Sequence, residues 1–137
     1  MGLILDSSIL IGAERQGQSV TQVLEAVLNA FGNQEVAIPS VALVELAQGS
    51  YRANTPERQV RRQAFVDELL ADVPGYPFTA QIALLAGRFD GEQQAKGVKI
   101  PFQDLLIGAT APGLSYAIVT GNPRHFQLIP KLTVIAF

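Results

Sequence analysis

Asp6, Glu45, Asp104 and Asn122 are the residues whose types and placement suggest chemistry. Asp6 closes the apolar run GLIL, while Glu45 sits inside VALVELA and Asp104 inside IPFQDLLIGA. A carboxylate left unpaired in apolar surroundings is costly. Glu45 and Asp104 therefore need either solvent or a compensating charge. Gathered in one place, the three carboxylates would form an oxygen-donor site for a hard divalent cation such as Mg2+ or Mn2+. A cation held in this way can orient and deprotonate water, polarise a phosphate and stabilise transition-state charge.

Each residue also has an ordinary reading. Asp6 could cap the turn that follows it, and Asp104 could complement a helix dipole. Asn122 within Gly-Asn-Pro is common turn chemistry. Glu45 could point at solvent from an otherwise covered helix. Ser8 and Thr120, each two residues from Asp6 and Asn122 respectively, are hydroxyls able either to cap or to hydrogen-bond a carboxylate or a metal-bound water. Clustering around a cation explains the acids together, whereas the ordinary readings explain them singly.

The elements expected to position these residues alternate in type. Residues 2–6 read as a buried strand, and Ser7 and Ser8 introduce ILIGAER. A helix is expected over Thr21–Phe31, a strand over 35–38, and a break at Pro39-Ser40. Ser40 is expected to cap the helix VALVELAQGSY. A helix over Glu57–Asp72 follows, then a loop with room for a very short strand near Phe78. Thr79 is expected to cap AQIALLAGRFDGEQQAKG. FQDLLIGATA opens another helix, Ser115–Thr120 is a strand, Gly121-Asn122-Pro123 a turn, and Leu132–Phe137 a last strand. This order predicts an α/β fold with a mostly parallel central sheet flanked by helices. In such sheets, sites form beyond the carboxyl ends of the strands, near the reversal of strand order. Asp6, Glu45, Asp104 and Asn122 can all face that edge.

Composition narrows the chemistry further. At 137 residues, the chain is expected to be one domain over 1–137, because two independent cores would be marginal. A hydrophobic content of 48% against 16% charged allows a proper core. With no cysteine and only His125, thiolate zinc, disulfides, a cysteine nucleophile and multi-histidine metal sites are excluded. The net charge of −2 supplies no overall basic field for a nucleic-acid binder, but bound cations can provide positive charge locally. MGLILDSSILIG lacks a basic leader and is interrupted by Asp6, so it reads as neither signal peptide nor membrane span. No segment approaches the roughly 20 apolar residues that cross a bilayer. The default location is cytoplasmic.

Four stretches together resemble the PIN-domain family, and within it the VapC-type ribonuclease toxins of type II toxin–antitoxin systems. They are LILDSSILI at 3–11, IPSVALVELAQG at 38–49, GVKIPFQDLLIGATA at 97–111 and AIVTGNPRHFQLIPKLTVI at 117–135. Singly each is weak; in order over nearly the whole chain they are fairly specific. The resemblance implies a three-layer PIN-like fold, Mg2+- or Mn2+-dependent RNA cleavage, a homodimer, and a cognate antitoxin as partner. By position, Asp6, Glu45 and Asp104 become the metal ligands. Asn122 takes the fourth catalytic position, where many relatives have Asp. Its neutral amide oxygen favours one firmly held cation, with a second joining only when RNA supplies phosphate oxygens.

On this reading Ser8, Thr120 and Arg124 support or position substrate, with Arg124 a phosphate contact. His125 could donate a proton, although nothing in the sequence requires it. Arg52, Arg58, Arg61 and Arg62 could touch an RNA backbone, but pairing with Glu57, Asp67 and Glu68 on a solvated helix is favoured. An aspartyl phosphatase is disfavoured because Ser8 stands where a general acid is needed. A phospho-accepting receiver domain would want paired acids near the first strand and a lysine ending a late strand, and neither is present. The non-enzymatic alternative is a catalytically weak PIN-like protein-binding module.

Overall fold

The strand β1 (Gly2–Leu5) is buried along its whole length, as is β4 (Ala117–Thr120). Successive strand side chains point to opposite faces, so full burial requires cover on both faces of the sheet. The computed structural model describes residues 2–137. Met1, which begins the expected domain and the stretch read above as neither signal peptide nor span, lies outside the described residues.

Between these strands, and around them, run α1 (Ser7–Arg15), α2 (Val20–Phe31), β2 (Glu35–Pro39), α3 (Ser40–Tyr51), α4 (Pro56–Asp72) and β3 (Gly75–Tyr76). The chain continues through α5 (Ala80–Gln94), α6 (Phe102–Gly113), α7 (Pro123–Phe126) and β5 (Val134–Ala136). The five strands form one sheet in the order β3-β2-β1-β4-β5, and every pairing is parallel. The expected mostly parallel α/β fold is thus realised with no antiparallel strand among the described residues. From β1 the chain builds outward to β2 and β3 on one side, then to β4 and β5 on the other. The order reverses between β1 and β4, which is where α/β sheets form their sites.

Local chemistry explains most helix boundaries. Ser19 and Gln22 form a reciprocal capping box that starts α2, with Ser19 Oγ accepting from the Gln22 amide at 3.1 Å and Gln22 Oε1 accepting from the Ser19 amide at 2.8 Å. Thr55 accepts from the Arg58 amide at 3.2 Å, and Pro56 occupies the first helical position of α4. Thr79 caps α5 as expected, accepting from the Ile82 amide at 3.2 Å. Ser40 departs from expectation. Pro39 remains in β2, Ser40 is already helical, and its hydroxyl accepts from the Phe78 amide at 3.1 Å. The strand-to-helix turn is one residue tighter than a serine cap would make it. The very short strand also comes slightly early, at Gly75–Tyr76 rather than near Phe78, because it pairs with Ile38 and Pro39 at the end of β2.

The core runs through the sheet into both helical layers. Leu3, Ile4, Leu5, Ile118 and Val119 from the central strands join Leu10, Ala42, Leu46, Leu69, Ile82, Ile107 and Phe126. On α3, the buried positions Ala42, Leu46 and Ser50 recur every four residues, and Glu45 lies beside that stripe. The helix is consequently anchored with Glu45 turned toward the carboxyl edge of the sheet.

Ile118 is fully buried at the centre of the sheet. Ile118→Ala should lower unfolding free energy by about 2–5 kcal/mol. Urea denaturation should record this as a lower midpoint with an unchanged slope.

Candidate active site

The register of β1 against β4 matches Leu3 with Ala117, Ile4 with Ile118 and Leu5 with Val119. One further step brings Asp6 level with Thr120, and the Asp6 amide donates to the Val119 carbonyl at 3.0 Å. Asp6 occupies the N-cap position of α1 but makes no side-chain capping bond. The capping reading of Asp6 is therefore excluded. Its Oδ2 instead accepts from the hydroxyls of Ser8 at 2.7 Å and Thr120 at 2.9 Å.

Both hydroxyls have their own lone pairs engaged by the following loop. The Gly121 amide donates to Ser8 Oγ and the Asn122 amide to Thr120 Oγ1, each at 3.0 Å. Loop amides thus orient the hydroxyls, and the hydroxyl protons are directed onto one oxygen of Asp6. The other oxygen, Oδ1, keeps only a long 3.5 Å approach from the Ser7 hydroxyl. It is the Asp6 atom best placed to serve as a ligand.

Glu45 is half-buried on α3, where its Oε2 accepts from the Ser7 hydroxyl at 2.8 Å. Asp104 stands in the first turn of α6, whose N-cap is Pro101 and has no side-chain cap. A negative charge there suits the helix dipole, so the ordinary reading of Asp104 holds. Its Oδ2 lies 2.8 Å from Nδ1 of His125 in α7. Asn122 forms the N-cap of α7 without a side-chain capping bond. Asp6, Glu45, Asp104 and Asn122 all line one open cavity of about 730 Å³, together with Ser7, Ser8, Arg15, Arg124 and His125. Thr120 stands behind Asp6 and is fully buried.

Residues 3–132 match the model of the PIN domain. The chain belongs to the PIN-domain family. It is 31% identical over 136 residues to the protein named Ribonuclease VapC of Rickettsia bellii, covering 98% of this chain and 96% of that one. It is 27% identical over 99 residues to the tRNA(fMet)-specific endonuclease VapC of Salmonella typhimurium, covering 72% of this chain and 73% of the relative. Its fold matches a chain in the crystal structure of VapBC2 from Rickettsia felis bound to a promoter DNA fragment. That match has a TM-score of 0.84 and 26% identity, covering 100% of this chain and 99% of the other.

In this PIN domain, Glu45 shows the electrostatic character of the site. Its pKa is raised, first because burial disfavours the charged form and then because the charges of Asp6 and Asp104 repel it. The Ser7 hydroxyl opposes that shift by stabilising the carboxylate. Among the described residues, no three or more acidic or histidine side chains form a ready-made metal-ligand cluster. The donor chemistry nevertheless fits a hard cation: three carboxylates share one cavity, and a cation would offset the repulsion of Glu45 by the other two.

The arginines fall into two groups. Arg61 and Arg62 pair with Glu14 of α1, at 3.7 and 3.5 Å. Arg62 also donates to the Gly49 carbonyl at 2.7 Å, and Arg58 to Asn54 at 3.0 Å. The favoured pairing with Glu57, Asp67 and Glu68 is thus corrected. Arg61 and Arg62 instead clamp α4 onto α1 and α3, and none of these arginines lines the active-site cavity. Arg124 does line it, and so does Arg15, which sequence reasoning missed. Arg15 ends α1 next to Glu14, and only the direction of the helix brings it to the cavity. Ser7 was also missed because Ser8 supplies the more evident hydroxyl.

Because folding raises the pKa of Glu45, the folded state holds its proton more tightly than the unfolded chain. Metal-free stability therefore falls as pH rises from the ordinary glutamate range through the raised value. Glu45→Gln should raise the melting temperature of the metal-free protein at neutral pH, and that gain should shrink as pH falls through this window. Saturating Mn2+ should stabilise the wild type more than the variant. Thermal melts across pH, with and without Mn2+, check both.

Proposed function

We propose that this PIN domain is a metal-dependent endoribonuclease and the toxin of a toxin–antitoxin pair. The observation that carries the reading is the placement of Asp6, Glu45 and Asp104 around one cavity at the sheet's reversal point. Relatives named as ribonucleases, and the structural likeness to a VapBC complex, support the nuclease activity and the antitoxin partner. The acids support Mg2+ or Mn2+ as cofactor, with Asp6, Asp104 and Glu45 as ligands.

When bound, such a cation supplies an acidified water and a polarised phosphate. The chain's own residues do the rest. Asp6 is fixed by Ser8 and Thr120 with one oxygen left over, and Glu45 is held by Ser7. His125 engages Oδ2 of Asp104, so Oδ1 is the oxygen that would be left for a cation. Arg124 and Arg15 stand at the cavity to meet RNA phosphates, compensating locally for a net charge of −2. Asn122 adds a neutral oxygen at the fourth catalytic position, which favours one firmly held cation and leaves a second dependent on RNA.

A homodimer accords with the exposed apolar side chains Val44, Leu84 and Phe102 on α3, α5 and α6. Among the described residues, no helix is long and apolar enough to cross a membrane. The reading places the protein in the cytoplasm, beside its RNA substrate. The second reading, a catalytically weak protein-binding module, draws on the absence of a ready-made ligand cluster among the described residues.

RNA cleavage assays separate the two readings. Cleavage should require added Mg2+ or Mn2+ and stop with chelator. Asp6→Asn and Asp104→Asn should each lose at least about 100-fold, since even partners one layer outside a metal's ligands cost about 10- to 100-fold. Undiminished cleavage by either variant, or in chelator, would sink the metal mechanism. Thr120→Val should lose about 10- to 100-fold through Asp6 alone, measured as initial cleavage rate at saturating metal.

A further inference from the structure

Ser7 is nearly completely buried, being 3% exposed, yet it caps nothing. Asp6 already occupies the N-cap of α1, so Ser7 is the first helical residue and its side chain is free to reach elsewhere. Its one hydroxyl proton has two carboxylates within range, Glu45 Oε2 at 2.8 Å and Asp6 Oδ1 at 3.5 Å. Strong charge-assisted bonds of this type are short, so the proton goes to Glu45. The contact spans 38 positions and joins the start of α1 to the middle of α3.

Glu45 needs such an anchor. Its side chain has three rotatable bonds, and the neighbouring charges of Asp6 and Asp104 push its carboxylate away. Being only half-buried, an unanchored Glu45 could swing toward solvent and relieve that repulsion. The hydrogen bond from Ser7 opposes this motion. The chain neighbour of Asp6 therefore holds the glutamate.

We infer that Ser7 is a positioning residue that keeps the Glu45 carboxylate beside Asp6, where the two can share a divalent cation. This rests on the metal-dependent nuclease reading above. Ser7 leaves Asp6 to Ser8 and Thr120, so separate hydroxyls set the two carboxylates.

The test is Mn2+ binding by the full-length protein, read from the electron paramagnetic resonance signal of free Mn2+ without RNA. Wild type, Ser7→Ala, Glu45→Gln and the double variant are compared, with melting temperatures measured alongside. Ser7→Ala should weaken Mn2+ binding about tenfold, in keeping with the loss of a hydrogen bond to a charged group. Added to Glu45→Gln, it should cost less than about twofold more, because coupled residues are non-additive. Wild-type affinity in Ser7→Ala, with Glu45→Gln weakened, would overturn the Ser7 inference while leaving the metal reading intact. A full tenfold further loss in the double variant would also overturn it, because Ser7 would then act through Asp6 or the fold. Wild-type protein that binds no Mn2+ would overturn both.

Discussion

Repulsion of Glu45 by Asp6 and Asp104 is the constraint around which the site is built. The fold brings three negative groups to one cavity, and each must be restrained from moving apart. A different donor restrains each one. Ser8 and Thr120 hold Asp6, Ser7 holds Glu45, and His125 sits against Asp104. Those donors come from α1, β4 and α7, so the arrangement exists only when the sheet edge and its neighbouring helices are assembled. The raised pKa of Glu45 reflects its burial first and, after that, repulsion from Asp6 and Asp104. The site is therefore poised for positive charge, which is what a divalent cation brings.

The rest of the molecule supports this edge. Full burial of β1 and β4 fixes their parallel register, and that register places Asp6 level with Thr120. Proline at the start of α3 and α6 leaves both helices without side-chain caps, so Asp104 alone supplies first-turn negative charge to α6. Away from the site, Glu14 draws Arg61 and Arg62 onto α1. The densest basic stretch of the chain is thereby partly committed to structure. Arg15 and Arg124 remain at the cavity, so an acidic protein keeps cationic groups beside its clustered carboxylates.

Much of this was legible before folding was considered. Asp6 ends an unmistakable buried strand, and Thr79 precedes a helical pattern with a capping hydroxyl. The alternation of strands and helices was sufficient for a parallel α/β sheet. Local signals failed where a long-range partner prevailed. Ser40 looks like a cap, but it is helical and bonds the distant Phe78 amide. Arg61 and Arg62 have acidic neighbours on their own helix, yet pair with Glu14, more than forty positions away.

The sequence by itself determined the donor types, their order, and the edge of the sheet they occupy. No cysteine and one histidine leave oxygen as the dominant ligand chemistry, and strand-end placement follows from hydrophobic patterning. Tertiary structure alone decided which hydroxyl serves which carboxylate, that Arg15 reaches the cavity, and that His125 engages Asp104. Those outcomes depend on side-chain distances between segments up to 114 positions apart. Periodicity specifies the face of an element, whereas only packing specifies what that face meets.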